Sequence, residues 1–170
     1  MSRARLILVL AVLGVAVYTA AAGSPDPAPS AASASSGRVT RVVDGDTIHV
    51  MVGGRDENVR YIGVDTPESV KPGTPVQCFA KRASAFNKRL VAGERVRLVR
   101  DAEERDRYGR LLAYVYRTRD DLFINATLVT GGYAVPLTIP PNVAHAKEFR
   151  LLATVARRKG RGLWSSCRSS

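Results

Sequence analysis

Two short runs, residues 38–43 and 47–52, alternate Arg, Thr or His with Val and Ile and are separated by Asp44-Gly45-Asp46. Period-two alternation gives each run one apolar face, and Asp-Gly between two such runs is a strong hairpin signal. A chain with this opening is built on an antiparallel sheet. Gly53-Gly54 then turns into a third run, 58–64, which stops at Asp65-Thr66-Pro67, because proline has no N–H to give to a ladder. Residues 69–75 read as a loop. From Val76 onward Phe79, Ala80, Ala83, Phe86 and Leu90 form one apolar stripe at helical spacing, ended by Gly93. Residues 94–100 and 111–117 read as strands four and five, with the charged loop DAEERDRYG between them. Asp121 is placed to cap a helix over 122–130, and Asn142 a last helix over 143–159. Five strands with a helix between the third and fourth is the layout of an OB-fold barrel, here a β-rich α+β domain with three helices.

The first 36 residues are of another kind. Arg3 and Arg5 precede a charge-free stretch, 6–22, that ends in Ala20-Ala21-Ala22, the pattern of a secretory signal peptide. A retained signal anchor is the alternative, since 17 residues lie at the lower end of what spans a bilayer. Residues 23–37 are rich in Pro, Ser and Ala and read as a disordered linker. The expected organisation is therefore a leader at 1–22, a linker at 23–37, the folded domain at 38–166 and a tail at 167–170. Export implies an extracellular protein, or a membrane-tethered one if the leader is retained.

Of the full chain's 26 basic and 15 acidic residues, only Arg3, Arg5 and Asp26 lie in that segment, so the domain itself carries a net charge of +10. Such a surplus favours polyanions, with nucleic acid and anionic membrane as candidates. The only two cysteines are Cys78 and Cys167, which excludes a cysteine scaffold and the thiolate-rich zinc sites. In an exported chain an even pair points to a disulfide fastening the tail; two free thiols would require a reducing compartment. His49 and His145 have no motif around them, so a catalytic histidine is a poor fit and any metal must use oxygen ligands.

Asp46 opens one strand and Asp65 closes the next, so a hairpin can bring the two carboxylates together. Two carboxylates and a carbonyl suit Ca²⁺, a hard cation that prefers oxygen. Arg60 and Arg110 have the planar, permanently charged fork that grips phosphate oxygens. On a regular strand, however, Arg60 and Asp65 point to opposite faces, so their convergence requires the strand to twist or end by Val64.

The runs RVVDGDTIHV, VRYIGVDTPES, ASAF and DRYGRLLAYVY, in this order and spacing, closely resemble the staphylococcal nuclease (thermonuclease) family from about Arg38 to Trp164. The resemblance implies an OB-fold, Ca²⁺-dependent nuclease acting on DNA and RNA, in which water attacks phosphorus and the products carry 3′-phosphates. It implies that Asp46 and Asp65 are calcium carboxylates, that Thr66 is a carbonyl ligand, and that Glu68 is the general base. By the same resemblance Arg60 and Arg110 bind phosphate and Tyr108 contacts the nucleotide. No stable protein partner is implied, and a monomer is expected. The late tyrosines that stack near the base in the family's best-known member are missing, their segment reading Val135-Pro136-Leu137-Thr138-Ile139-Pro140-Pro141. Tyr133 is expected in the core and His49 on a barrel face. The competing readings are a noncatalytic OB-fold binder of single-stranded nucleic acid and a surface adhesin for polyanions or lipids.

Overall fold

The computed structural model describes residues 34–68, 73 and 75–167. The expected leader and most of the expected linker lie outside the described residues. The elements run β1 (Ala34–Val42), β2 (Thr47–Val52), β3 (Arg55–Tyr61), β4 (Val64–Asp65), α1 (Ala80–Val91), β5 (Arg95–Val99), β6 (Leu111–Arg117), β7 (Leu122–Phe123), α2 (Ile124–Thr130), β8 (Val135–Pro136), α3 (Ala146–Arg158) and α4 (Leu163–Ser166).

β1 serves two partners. Its first half pairs with β5 from Ala34↔Val99 to Arg38↔Arg95, and its second half pairs with β2 from Arg38↔Met51 to Val42↔Ile48, with a register shift between Val39 and Arg41. A bulged strand of this kind turns a barrel corner. β2 continues to β3, β5 to β6, and the parallel pair β3–β6 (Val59↔Leu111) closes the ring in the order β1-β2-β3-β6-β5. This is the five-stranded OB-fold barrel that the strand pattern predicts. Its interior is filled by alternating residues of every strand, among them Val39, Ile48, Val50, Val59, Val96, Leu98 and Val115, all buried. α2 and α3 add Leu128 and Phe149 to the same core.

Several boundaries differ from the sequence expectation. Residues 34–37, assigned to the linker, are the start of β1, because β5 offers them an open edge. α1 starts at Ala80 rather than Val76, after Phe79 in a left-handed conformation (φ 70°). Asp121 does not cap α2: it takes φ 50° and pairs with Arg97 at 2.5 Å, and β7 intervenes before the helix. Nor does Asn142 cap α3, which begins at Ala146. Its buried amide instead accepts from the Glu103 N–H (2.7 Å) and donates to the Glu103 carbonyl (2.9 Å), clamping the loop before β6. A one-turn α4 adds to the three main helices. Tyr133 stacks on Phe86 with ring centroids 3.9 Å apart, the packing role expected of it. His49 lies on β2 and bonds to Asp56 at 2.8 Å.

Candidate active site

The site begins at the turn between β1 and β2. Asp44 accepts the N–H of Asp46 (3.0 Å), an Asx turn that Asp favours. Gly45 is there for proximity rather than for handedness. Its φ is not positive, but a Cβ would lie 2.5 Å from Thr66 Oγ1 and 2.7 Å from Thr66 Cβ. Only glycine lets this turn rest against the segment that follows β4.

Contact with Thr66 organises the Asp46 carboxylate. Oδ2 accepts the Thr66 N–H (2.7 Å) and hydroxyl (2.9 Å), while Oδ1 accepts from Thr47 Oγ1 (3.2 Å) and faces Arg60 Nη1 (2.9 Å). The side chain is only 6% exposed. Burial pushes its carboxyl up to about 7; the Arg60 guanidinium pulls the other way, and Asp44 adds to the upward push.

Arg60 joins the two carboxylates. Its Nη2 donates to Asp65 Oδ1 at 2.8 Å, and its Nη1 also donates to the Val64 carbonyl at 3.0 Å. The parity conflict between Arg60 and Asp65 is resolved by a break in the strand. β3 ends at Tyr61, Gly63 takes φ 78°, and β4 restarts the chain in a new direction, pairing Asp65 with Val135 of β8. A Cβ on Gly63 would lie 2.5 Å from the Phe149 ring, so the break needs glycine twice over.

Arg110 is oriented by Asp106, which sequence reasoning did not single out. Arg110 Nε donates to Asp106 Oδ2 (2.7 Å), and the N–H groups of Arg110 and Tyr108 both donate to Asp106 Oδ1 (3.0 and 2.9 Å). Partial burial opposes ionisation of Asp106, yet these bonds hold its carboxyl below the usual range. The D-R-Y-G-R run carried the signal, since Asp at the head of a tight turn accepts from the N–H two residues on. Arg60 and Arg110 line one cleft of about 220 Å³, together with Leu137 and Ile139. Tyr108 does not line it. It stands 68% exposed on the turn, with Arg107 and Arg110 at 4.8 and 5.5 Å from its ring centre.

Glu68 follows Thr66 by two residues and is held at the backbone by Gln77, a residue with no motif to announce it. The Glu68 N–H donates to Gln77 Oε1 (2.8 Å), and the Gln77 N–H donates to the Glu68 carbonyl (3.0 Å). The neighbouring Cys78 forms the expected disulfide with Cys167 (Cα–Cα 5.9 Å).

The structure thus brings Asp46, Asp65, Thr66 and Arg60 together and sets Arg110 in the same cleft as Arg60. Among the described residues no three His, Cys, Asp or Glu side chains form a ready metal cluster. The two carboxylates nevertheless fit a hard cation. Both already face one positive group, their donors are all oxygen, and the buried one is raised to about 7 because a single guanidinium does not offset its desolvation.

Residues 58–166 match the family described as staphylococcal nuclease homologue. Over 129 residues, 76% of this chain and 75% of the other, the sequence is 43% identical to the thermonuclease of Staphylococcus hyicus. It is 46% identical to the thermonuclease of Staphylococcus intermedius over 126 residues, 74% of each chain. It is also 42% identical to endonuclease YncB of Bacillus subtilis (strain 168), over 74% of this chain and 59% of that one. With a closed OB-fold barrel, two arginines sharing one cleft and this extent of identity, the chain belongs to the staphylococcal nuclease family.

Proposed function

We propose that this chain is a secreted, Ca²⁺-dependent nuclease that hydrolyses phosphodiester bonds of both DNA and RNA. Family membership makes it a phosphodiesterase nuclease. The observation that carries the finer reading is Arg60, whose one guanidinium spans the carboxylates of Asp46 and Asp65 while lining a cleft with Arg110.

In this reading Asp46, Asp65 and the carbonyl of Thr66 hold the cation. When bound, it supplies positive charge to a phosphodiester that otherwise repels an incoming oxygen. Arg60 and Arg110 grip nonbridging oxygens and neutralise the charge that grows on them as phosphorus becomes five-coordinate. Glu68 takes a proton from water, which forms the new O–P bond. The P–O5′ bond breaks, the 5′-oxygen takes a proton from solvent, and the 3′-phosphate remains. Tyr108, exposed beside Arg110, packs against the nucleotide. Leu137 and Ile139 present aliphatic walls to the cleft in place of stacking rings, which implies weak discrimination among bases.

The test is digestion of plasmid DNA and of RNA with Ca²⁺ and with chelator. Hydrolysis of both that stops in chelator supports the reading, whereas hydrolysis indifferent to chelator overturns the metal assignment. N-terminal sequencing of protein from the culture medium tests export.

A further inference from the structure

A second basic cleft, of about 500 Å³, lies between α3, β8 and α4, away from the cleft shared by Arg60 and Arg110. Its charged lining is Arg150, Arg157 and Arg158, all three exposed, with no acidic residue among its walls. Val135, Pro136 and Trp164 are also among its lining residues. Among the described residues none of the three arginines has an ion-pair partner, although Arg60, Arg97, Arg105, Arg110 and Arg117 all do. Arg157 lies over the Trp164 ring at 4.3 Å from its centre, which orders one guanidinium without neutralising it.

This cleft is joined to the candidate active site through two residues of backbone. Val135, in its lining, pairs across β4–β8 with Asp65, and Pro136 pairs with Val64. Like charges gathered without counter-ions raise the potential of a cleft and cost stability, a cost that a polyanion removes on binding. Arg150 and Arg157 are two turns apart on α3, about 10 Å along its axis. A duplex strand carries one phosphate per about 3.4 Å, so the two reach different phosphates.

We propose that the Arg150–Arg157–Arg158 cleft binds the phosphate backbone of the nucleic-acid strand beyond the scissile bond, as an extension of the active site across β8. This rests on the nuclease reading for its substrate. Recognition is of phosphate rather than of bases, so the cleft raises affinity for long strands and leaves the chemical step alone. Arg157 is kept out of the test because its packing on Trp164 gives it a structural part.

The test compares wild type with Arg150→Ala/Arg158→Ala. In chelator, anisotropy of a labelled single strand of about 20 nucleotides over a salt series should show the slope of log K on log salt reduced by about 1.4, from two lost contacts. In Ca²⁺, KM for long single-stranded DNA should rise about tenfold. Turnover of a nitrophenyl ester of thymidine phosphate, too small to leave the first cleft, should stay within about twofold. An unchanged salt slope, or equal loss on both substrates, overturns the proposal. So does loss of binding to anionic phosphatidylserine vesicles with DNA binding intact, which would make this a lipid surface. Wild type that hydrolyses neither substrate would remove the nuclease reading, while the binding slope still decides the cleft.

Discussion

Glu68 and Gln77 are bonded reciprocally: the Glu68 N–H donates to the Gln77 side-chain oxygen at 2.8 Å, and the Gln77 N–H donates to the Glu68 carbonyl at 3.0 Å. Cys78 follows directly and is tied through its disulfide to Cys167 beside α4. The position of the proposed base is therefore set by the far end of the chain as well as by β4.

Gln77→Ala removes the acceptor of the Glu68 N–H. A misplacement of about 1 Å in a catalytic group costs up to roughly a hundredfold, so kcat should fall about ten- to a hundredfold with KM nearly unchanged. Steady-state kinetics well below the melting temperature, with circular dichroism to confirm the fold, checks this. A change in KM alone would show that Gln77 acts on binding instead.

Loss of the disulfide should act on both stability and turnover. The two cysteines are 89 positions apart, and in the chain-entropy model closing so long a loop contributes about 4 to 5 kcal/mol. Cys78→Ser/Cys167→Ser should melt many degrees lower. At temperatures where it remains folded, its kcat should fall in the same direction as in Gln77→Ala. Thermal melts and kinetics with and without reductant on the wild type give the same comparison without mutation.

Arg60→Ala leaves the Asp46 carboxylate buried without its guanidinium. Because the Asp46 carboxyl is already raised to about 7, it takes up a proton once the guanidinium is gone. The stability loss should therefore be about 1 to 3 kcal/mol, while losing a charge that stabilises the transition state costs about 10² to 10³ in kcat. Arg60→Lys should recover part of the stability but little of the rate, because one ammonium cannot span both Asp46 and Asp65. Chemical denaturation and single-turnover cleavage separate the two effects.

Calcium should stabilise the protein more at alkaline than at acid pH. The Asp46 carboxyl is raised to about 7 in the fold, so its contribution to stability in chelator is full below the unfolded value and is lost as pH rises through about 7. Below that point a cation must displace a proton from Asp46, and above it none. The melting-temperature gain on adding Ca²⁺ should therefore grow between about pH 5 and about pH 8. A gain independent of pH would remove Asp46 from the ligand set.

The five barrel strands and the chemical types at the site were legible in the sequence because they rest on local rules, whereas closure of the barrel rests on the non-local pairing of β3 with β6. Period-two alternation specifies which face of 47–52 is buried, and Asp-Gly marks the turn before it. An arginine remains a phosphate-binding fork wherever the fold puts it. Boundaries were less legible where a neighbouring element competed with local preference. Ala34 joined a strand because β5 had an open edge, and Asn142 became a clamp on Glu103 because that pairing satisfies both polar ends of a buried amide.

What the sequence alone determined is the material: two aspartates, a glutamate and two arginines on a basic β-rich domain, with a cysteine near each end of its helical half. Only tertiary structure decided that Arg60 reaches Asp65, since that depends on the break at Gly63 and on the Phe149 ring that leaves no room for a side chain there. The same holds for Gln77 behind Glu68 and for the arginine cleft beyond β8. These relations join residues whose partners are set by packing and not by spacing along the chain, and a carboxylate or amide has no local pattern that names its partner.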